Sequence, residues 1–338
     1  MKIALDAMGG DYAPQNIVAG AVDGLREFAQ ISKLYLTGDE GRVKEELRKL
    51  GCNDGRIEIV HTTQVVDMAD SGLDAVRKKK DSSVSRAVDL VKKGDAQAIV
   101  SAGHTGAAVT AATIKLRMLE GIDRPAIAAL MPTETGKHFV LCDAGANPDA
   151  TPPQLVENAI MALAYCEHVL GRKNPTAGLM SNGTEDDKGN VLTQTAHGLL
   201  RKSGLNFHGN VEGHCIFEGK VDVVVTDGFT GNVVLKTSEA LAKSMFRLLK
   251  RELTASPIRK MGALLCKPGF LAVKKETSAD EAGGMPLLGV NGVTIISHGG
   301  ASPLAIKNAL RQACASIGHD LNPHIVAHVK RYHEQQQP

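Results

Sequence analysis

Residues 97–120, QAIVSAGHTGAAVTAATIKLRMLE, carry the pattern that decides the fold. A short apolar run at 97–103 ends in a polar, glycine-containing turn, and an alanine-rich segment of helical period follows at 105–120. This succession of strand, turn and helix recurs along the chain, which indicates βαβ units and a parallel sheet. Because ligands of such sheets bind beyond the carboxyl ends of the strands, the turns are where a site is expected.

On either side of this segment, eight further apolar runs predict strands and six further segments of helical period predict helices. The predicted strands are 2–8, 33–38, 56–61, 97–103, 126–131, 138–145, 176–183, 221–228 and 293–299. The predicted helices are 14–29, 83–93, 105–120, 153–170, 190–202, 238–253 and 302–317. We therefore predict an α/β, Rossmann-like fold with a mainly parallel sheet and helices on both faces. One large domain over 1–330 and a frayed tail at 331–338 are expected.

Composition excludes several classes of protein. The 338 residues include 39 Lys and Arg against 37 Asp and Glu, a net charge of +2, and only 3% aromatic residues. This balance argues against a nucleic-acid binder driven by charge, and the lack of aromatics argues against base stacking. The six cysteines form no CxxC pair, so neither a disulfide framework nor a cysteine zinc site is expected. With no signal-peptide pattern and no apolar run of membrane-spanning length, we expect a cytoplasmic protein.

Glycine is enriched, at 35 residues, and much of it gathers in six turns at predicted strand ends. The turns are 6–11, 101–106, 143–147, 181–184, 226–232 and 297–300. Glycine lets backbone N–H groups approach a ligand, and a helix that begins after such a turn favours an anion. We therefore expect the six turns to form one anion-binding floor, most simply for phosphate. The chain has no GxxxxGK[ST] motif and no GxGxxG in its first βα turn, so no nucleotide or NAD cofactor is expected.

Seven segments, in order along the chain, resemble the bacterial phosphate acyltransferases of phospholipid synthesis, the PlsX family. They are DAMGGDYAP (6–14), RKKKDSS (77–83), SAGHTGA (101–107), DAGAN (143–147), SNGTEDDKGN (181–190), DGFTGNVVLK (227–236) and LLGVNGV (287–293). The resemblance implies transfer of an acyl group from acyl-carrier protein to inorganic phosphate by a homodimer. It also implies the architecture of phosphotransacetylase and isopropylmalate dehydrogenase. His104 stands where the family usually has Asn, and Gly72 where it usually has proline.

Four residues are candidates for the chemistry. Lys188 is the best cation to neutralise phosphate or a developing oxyanion, with a solvated loop lysine as the alternative. Asn182 and Asn232 are candidate amide donors, with helix capping as their alternative. His104 is a candidate general acid or base, with a non-catalytic loop histidine as its alternative. No covalent intermediate is required, because phosphate is already a nucleophile and a thioester is activated.

The remaining site candidates are assigned to binding phosphate or to orienting other groups. The candidates for binding phosphate are Gly9, Gly10, Asp11, Ser101, Gly103, Thr105, Gly106, Asn147, Ser181, Gly183, Thr230 and Gly231. Because carboxylates repel phosphate, Asp6, Asp143 and Asp227 are expected to orient lysines and backbone amides. The alternative is that four aspartates, Asp6, Asp11, Asp143 and Asp227, hold Mg²⁺. We predict neither a metal nor another cofactor.

Basic clusters predict where partners bind. An acidic acyl-carrier protein is expected to dock on Arg77, Lys78, Lys79, Arg247, Lys250 and Arg251. A protruding helical segment at 238–275 interleaves basic and apolar residues, which suits the inner membrane surface or a membrane-bound glycerol-phosphate acyltransferase. The alternative use of this segment is a dimer contact. Two other functions are open at this stage: an acyl-CoA:phosphate transferase of the phosphotransacetylase type, and a non-catalytic phosphate or acyl-phosphate sensor.

Overall fold

The computed structural model describes residues 1–67 and 70–336, in which eleven strands form one continuous sheet. The strands are β1 (Lys2–Asp6), β2 (Lys33–Gly38), β3 (Ile57–His61), β4 (Ala98–Ser101), β5 (Ala126–Pro132), β6 (His138–Cys142), β7 (Ala177–Met180), β8 (Phe207–Val211), β9 (Val223–Val225), β10 (Met285–Leu288) and β11 (Val293–Ile296). Their order across the sheet is β3-β2-β1-β4-β11-β10-β5-β6-β9-β7-β8.

Twelve α-helices and one short 3₁₀-helix (Cys215–Glu218) connect or follow the strands in the described residues. The helices are α1 (Gln15–Glu27), α2 (Glu40–Lys49), α3 (Gly72–Lys78), α4 (Ser83–Lys93), α5 (Thr105–Leu116), α6 (Pro152–His168), α7 (Val191–Lys202), α8 (Gly228–Leu253), α9 (Pro257–Glu276), α10 (Ala279–Ala282), α11 (Pro303–Gly318) and α12 (Leu321–Gln336).

Strand direction reverses in the middle of the sheet. Seven of the ten neighbouring strand pairs are parallel, which confirms the predicted mainly parallel sheet. The three antiparallel pairs are β11–β10, β10–β5 and β5–β6. As a result β1, β2, β3, β4 and β11 run one way, and β6, β7, β8 and β9 run the other way.

Helices cover both faces of the sheet, as predicted. In the β1–β4 half, α1 and α11 pack on one face over Ile3, Leu5 and Val100, while α4 and α5 pack on the other over Ala4 and Ile99. In the β6–β9 half, α6, α7 and α12 form a separate buried cluster. Aliphatic side chains and alanine make up most of these buried clusters, consistent with the few aromatic residues in the chain.

Helices α8 and α9 project from this layered body. Along α8 only Gly228 and Gly231 are buried, and α9 has no buried residue. Among the described residues, no helix combines the length and apolar character needed to cross a bilayer. The projecting part, residues 238–275, is called the helical arm below.

Several elements differ from the sequence-based predictions. β8 and β10 were not predicted, because FHGNV contains glycine and asparagine and MPLL is four residues long with a proline. Helix α8 begins at Gly228, well before residue 238. The tail expected to fray from residue 331 continues α12 as far as Gln336, and residues 337–338 lie outside the described part.

Candidate functional site

The reversal of strand direction divides the six turns into two groups. The turns after β1, β4 and β11 lie at one edge of the sheet, called the His104 edge. The turns after β6, β9 and β7 lie at the opposite edge, called the Lys188 edge. The expectation of one floor made by six turns is therefore wrong, because parallel strands place their carboxyl ends together only when they run in the same direction.

At the His104 edge, the turns after β1 and β4 are held together by a buried carboxylate. Ser101 Oγ donates to Asp6 Oδ2 over 2.7 Å, and Met8 N donates to Asp6 Oδ1 over 3.2 Å. The two turns touch closely, since a Cβ on Gly9 would lie 2.7 Å from Gly103 N. Burial raises the pKa of the Asp6 carboxyl, and its hydrogen bonds oppose that rise.

His104 is the N-cap of α5. Its Nδ1 accepts a hydrogen bond from Ala107 N over 3.1 Å, with Thr105 and Gly106 in the first turn of the helix. Asn is among the best N-cap residues, so the ring nitrogen replaces the amide oxygen that the family's usual Asn would supply. Gly72 lies against this turn, because a Cβ there would lie 2.6 Å from Gly106 O.

The turn after β11 completes the His104 edge. Asp11 N donates to Gly299 O over 2.8 Å, which joins the first turn of the chain to the last. Gly10 has a φ of 113°, a conformation that favours glycine. The Asp11 side chain is exposed. Asp6, Gly9, Gly10, Asp11, Ser101, Gly103, Thr105 and Gly106 are therefore brought together with His104, away from the other candidates.

At the Lys188 edge, Asp143 fixes the turn after β6. Its carboxylate is fully buried and accepts four backbone N–H groups, at 2.8 Å from Ile127, 2.9 Å from Gly145 and Ala146, and 2.6 Å from Asn147. Burial raises the pKa of the Asp143 carboxyl, whereas these N–H groups act to lower it. Asn147 Nδ2 donates to Gln154 Oε1 over 3.0 Å, so its amide positions α6.

The start of α8 packs against this turn. Asp227 caps the helix by accepting from Thr230 N at 2.8 Å and from Thr230 Oγ1 at 2.7 Å. Asn232 Nδ2 donates to Ala144 O over 3.2 Å. A Cβ on Gly231 would overlap the carbonyl oxygen of Asp143, so only glycine permits this approach. The carboxylates of Asp227 and Asp143 therefore accept hydrogen bonds from backbone N–H groups, and no salt bridge to a lysine is seen for either among the described residues.

The loop that connects β7 to α7 carries Lys188, which is exposed and pairs with no carboxylate among the described residues. Its stem crosses Gly183, where a Cβ would lie 2.5 Å from Lys188 Cγ. Asn182 is exposed in the same loop, and the buried Oγ of Ser181 has no hydrogen-bond partner. This loop therefore presents one free cation together with unused donor groups.

Two asparagines that were not predicted as site residues hold this loop in place. Asn210 Nδ2 donates to Glu185 O over 2.6 Å, and Asn190 Oδ1 accepts from Thr193 N over 2.9 Å at the start of α7. The Asn190–Thr193 spacing is a recognisable capping signal. Asn210 carries no such signal, because it lies in β8, which the sequence did not predict.

A pocket of about 520 Å³ joins the N-termini of α7 and α8 beside Lys188's loop. It is lined by Asn190 and Leu192 from α7, by Asp227, Phe229 and Thr230 from α8, and by 148–150. Helix N-termini carry partial positive charge, which favours an anion, whereas the carboxylates of Asp149 and Asp227 in the lining oppose one. The four aspartates considered for Mg²⁺ are split between the two edges and belong to neither potential metal-ligand group of the described residues.

The basic clusters differ in how free their charges are. Lys79 Nζ pairs with Asp70 at 2.6 Å and with Asp67 at 3.0 Å, so less of its charge is available to a partner than the sequence suggests. Lys78 pairs with Asp74 at 3.3 Å, and Arg251 pairs with Glu252 at 3.1 Å. The described part of the chain has no carboxylate paired with Arg77, Arg247 or Lys250, all three exposed.

Solved structures share this fold. A phosphotransacetylase from Streptococcus pyogenes aligns over 94% of this chain and 93% of its own, with a TM-score of 0.61 and 21% identity. A branched-chain phosphotransacylase from Enterococcus faecalis aligns over 93% of this chain and 99% of its own, with a TM-score of 0.55 and 16% identity. At these identities the likeness establishes the predicted phosphotransacetylase-like architecture, and no activity.

Sequence relatives are much closer. A phosphate acyltransferase from Akkermansia muciniphila is 51% identical over 98% of this chain and 96% of its own. Another from Desulfitobacterium hafniense is 50% identical over 94% of this chain and 95% of its own. The family model described as a fatty acid synthesis protein matches residues 1–323. The chain therefore belongs to the phosphate acyltransferase family and is a transferase enzyme.

Proposed function

We propose that this enzyme transfers a fatty acyl group from acyl-carrier protein to inorganic phosphate at the Lys188 edge. The product is an acyl-phosphate for phospholipid synthesis. The observation that carries the proposal is the exposed ammonium of Lys188, which pairs with no carboxylate among the described residues and lies in the loop that leads into α7. The N-terminus of α7 shares a pocket with that of α8. Membership of a family of transferases favours catalysis over the alternative of a non-catalytic phosphate sensor.

The reaction requires positioning more than new covalent chemistry. A phosphate oxygen attacks the thioester carbonyl carbon and forms a C–O bond, and the resulting oxyanion then collapses and breaks the C–S bond. The carrier leaves as a thiolate that takes up a proton. Lys188 neutralises phosphate and the oxyanion, because a fixed cation at the developing charge lowers the barrier most.

Amide donors complete the oxyanion site in this proposal. Asn232 Nδ2 gives one N–H to Ala144 O, and an amide nitrogen has two, so one N–H is left for the substrate. Asn182 is exposed in Lys188's own loop and is the second donor, whereas the Ser181 hydroxyl of that loop is buried. Asn147, Gly183, Thr230 and Gly231 shape the same edge. We assign His104 to capping α5, since it lies at the opposite edge and its Nδ1 is occupied.

The identity of the acyl donor decides between this proposal and an acyl-CoA:phosphate transferase. Release of thiol from acyl-carrier protein and from acyl-CoA of the same chain length is measured with and without phosphate, with acyl-phosphate identified by mass spectrometry. We expect phosphate-dependent thiol release with a clear preference for the carrier protein in kcat/KM. Equal or faster turnover of acyl-CoA would assign the enzyme to the phosphotransacetylase type of reaction.

We propose that the carrier protein docks through the free positive charges of Arg247 and Lys250, with Arg77 as a second contact. Arg247→Glu combined with Lys250→Glu is expected to raise KM for the acylated carrier while leaving kcat nearly unchanged, and added salt is expected to mimic it. Lys92→Glu combined with Lys93→Glu, on exposed positions of α4, is the control of equal charge change. An equal rise in KM with the control pair would contradict specific docking.

The helical arm also exposes an apolar face that suits a membrane surface. Leu241, Leu264 and Leu265 are 61%, 69% and 83% exposed, among lysines and arginines on both helices. We propose that this face binds anionic lipid, with a homodimer contact as the alternative. Flotation with anionic and with neutral vesicles tests it, beside the oligomeric state by analytical ultracentrifugation. We expect the protein to float only with anionic vesicles, and the Leu264→Ser/Leu265→Ser double variant to lose that binding. If the double variant instead keeps lipid binding and becomes monomeric, the face is a dimer contact.

A further inference from the structure

Outside the acyl-transfer site, three histidines and a glutamate meet where the end of α6 packs on α12. Glu167 and His168 are the last two residues of α6, and His324 and His328 lie on α12. The family model matches residues 1–323, so both α12 histidines lie beyond the part of the chain that this model describes. Neither edge of the sheet described above includes these residues.

The ligand atoms have the separation that a bound metal ion requires. His168 Nε2 and His328 Nε2 are 3.4 Å apart, and His328 Nε2 is 3.8 Å from Glu167 Oε2. All three groups present atoms within 4.8 Å of one another. Two ligands bound at about 2.0–2.1 Å to a tetrahedral Zn²⁺ lie about 3.4 Å apart. The same distance is longer than an ordinary hydrogen bond of about 2.7–3.2 Å.

Packing holds these side chains in place. Leu321, Ile325 and Val329 of α12 are buried in the same core cluster as α6, so the two helices have a fixed relation. The His168 ring stacks on the His324 ring, with centroids 3.5 Å apart and planes inclined by 7°. His328 follows His324 by four residues and so lies on the same side of α12. The rings are thus oriented before any ion binds.

We infer that Glu167, His168 and His328 form a zinc site that joins the end of α6 to α12. Two imidazoles and one carboxylate suit Zn²⁺ better than Mg²⁺ or Ca²⁺, which prefer oxygen ligands alone. Three protein ligands leave the fourth tetrahedral position to water. Bound metal holds the C-terminal helix against the body of the enzyme, and it takes no part in acyl transfer.

Zinc binding is measured on the full, untagged chain after metal removal with EDTA, by titration against a chelator of known affinity. Co²⁺ is used in parallel, because its visible absorption reports four-coordinate geometry. We expect one site, a tetrahedral Co²⁺ spectrum and a rise in melting temperature with Zn²⁺. His328→Ala, which removes an outer, partly exposed ligand, is expected to weaken binding by more than about 100-fold, since losing even an outer-shell partner costs about 10–100-fold.

A matched control removes the other potential ligand group of the described residues, His214, Cys215 and Glu218. His214→Ala is expected to leave the affinity for Zn²⁺ and the Co²⁺ spectrum unchanged. His168→Gln serves as a second ligand variant if His328→Ala alters folding, with circular dichroism as the check. Wild-type affinity in both ligand variants, or loss of binding only in His214→Ala, would overturn the proposal and leave the two histidines as a hydrogen-bonded pair.

Discussion

The His104 edge and the Lys188 edge are built from the same kinds of residues, yet they differ in what those residues have left to offer. At the His104 edge, Asp6 accepts from Ser101 and His104 caps α5. At the Lys188 edge, the Lys188 ammonium has no carboxylate partner among the described residues and Ser181 Oγ has no hydrogen-bond partner. Glycine-rich turns alone therefore do not mark a binding site. Under the function proposed above, the unpaired cation of Lys188 is the feature that suits the Lys188 edge to a phosphate substrate.

The largest effect is expected from Lys188→Ala. Removal of the cation should lower the rate of acyl-phosphate formation by about 10²–10³-fold, the usual cost of one lost oxyanion-stabilising group. A loss of about tenfold is the smallest that would support the proposed role. The fold should persist, because the side chain is exposed. Turnover is measured on purified protein whose circular dichroism matches wild type, with Lys92→Ala as a control for loss of an exposed lysine. Near-wild-type turnover would remove Lys188 from the mechanism.

The two buried aspartates, one at each edge, give a paired test of stability. Asp143→Asn places an NH₂ group among backbone N–H donors, and leaving one donor unsatisfied costs about 1–3 kcal/mol. Asp6→Asn should cost less, because the Ser101 hydroxyl that faces it can accept as well as donate. The free energy of unfolding from urea titration is the measurement. Equal losses in the free energy of unfolding would contradict the expectation that Asp143 depends more strongly than Asp6 on its hydrogen-bond donors.

Asn232→Ala should lower turnover by about tenfold or more, because it removes a donor proposed for the oxyanion. The substitution also removes the hydrogen bond from Asn232 to the Ala144 carbonyl. A similar asparagine-to-carbonyl hydrogen bond lies near the His104 edge. Asn16 Nδ2 donates to Ala301 O over 3.0 Å, so Asn16→Ala loses a similar bond without touching the proposed site. Kinetics of both variants separate the two effects. Equal loss of turnover would mean that Asn232 acts only through structure.

The smallest effect is expected at His104. His104→Ala removes the cap of α5 and should lower the free energy of unfolding by about 1 kcal/mol. His104→Asn, the residue usual in the family, should restore that stability because Asn is a good cap. Turnover should stay unchanged in both variants. If His104→Asn is fully stable yet loses turnover tenfold or more, the histidine takes part in the chemistry and the contrast between the edges fails.

Most of the fold followed from local patterns. Strand β2 (33–38) and helix α4 (83–93) have the bounds that the sequence predicts. Their bounds could be predicted because alternating apolar runs and helical periodicity depend only on residues close together in the chain. The antiparallel β5–β6 pair had the widest consequence. The missed strand β10 is antiparallel to both its neighbours, so β11 and β5 still run the same way, and the direction changes only where β5 pairs with β6. A chain interpreted as repeated βαβ units gives no sign of that reversal.

Candidate site residues could be proposed one by one from the sequence, but which of them lie together could not. Lys188, Asn182 and Asn232 stood out because they follow strands in glycine-rich turns. Lys79 looked equivalent to its basic neighbours, and only the fold brings Asp67 and Asp70 to it. The HxxxH spacing of His324 and His328 is visible in the sequence. His168, whose ring nitrogen lies beside that of His328, is 160 residues away along the chain, so only the fold brings the two together.

By itself, then, the sequence determined the class of fold, the family and the residue types available for phosphate chemistry, since these depend on local patterning and composition. The tertiary structure alone decided which turns share an edge and which charged groups are already paired. The physical reason is that pairing and strand direction arise from contacts between distant segments, where a carboxylate such as Asp70 neutralises Lys79 while Lys188 is left without one among the described residues.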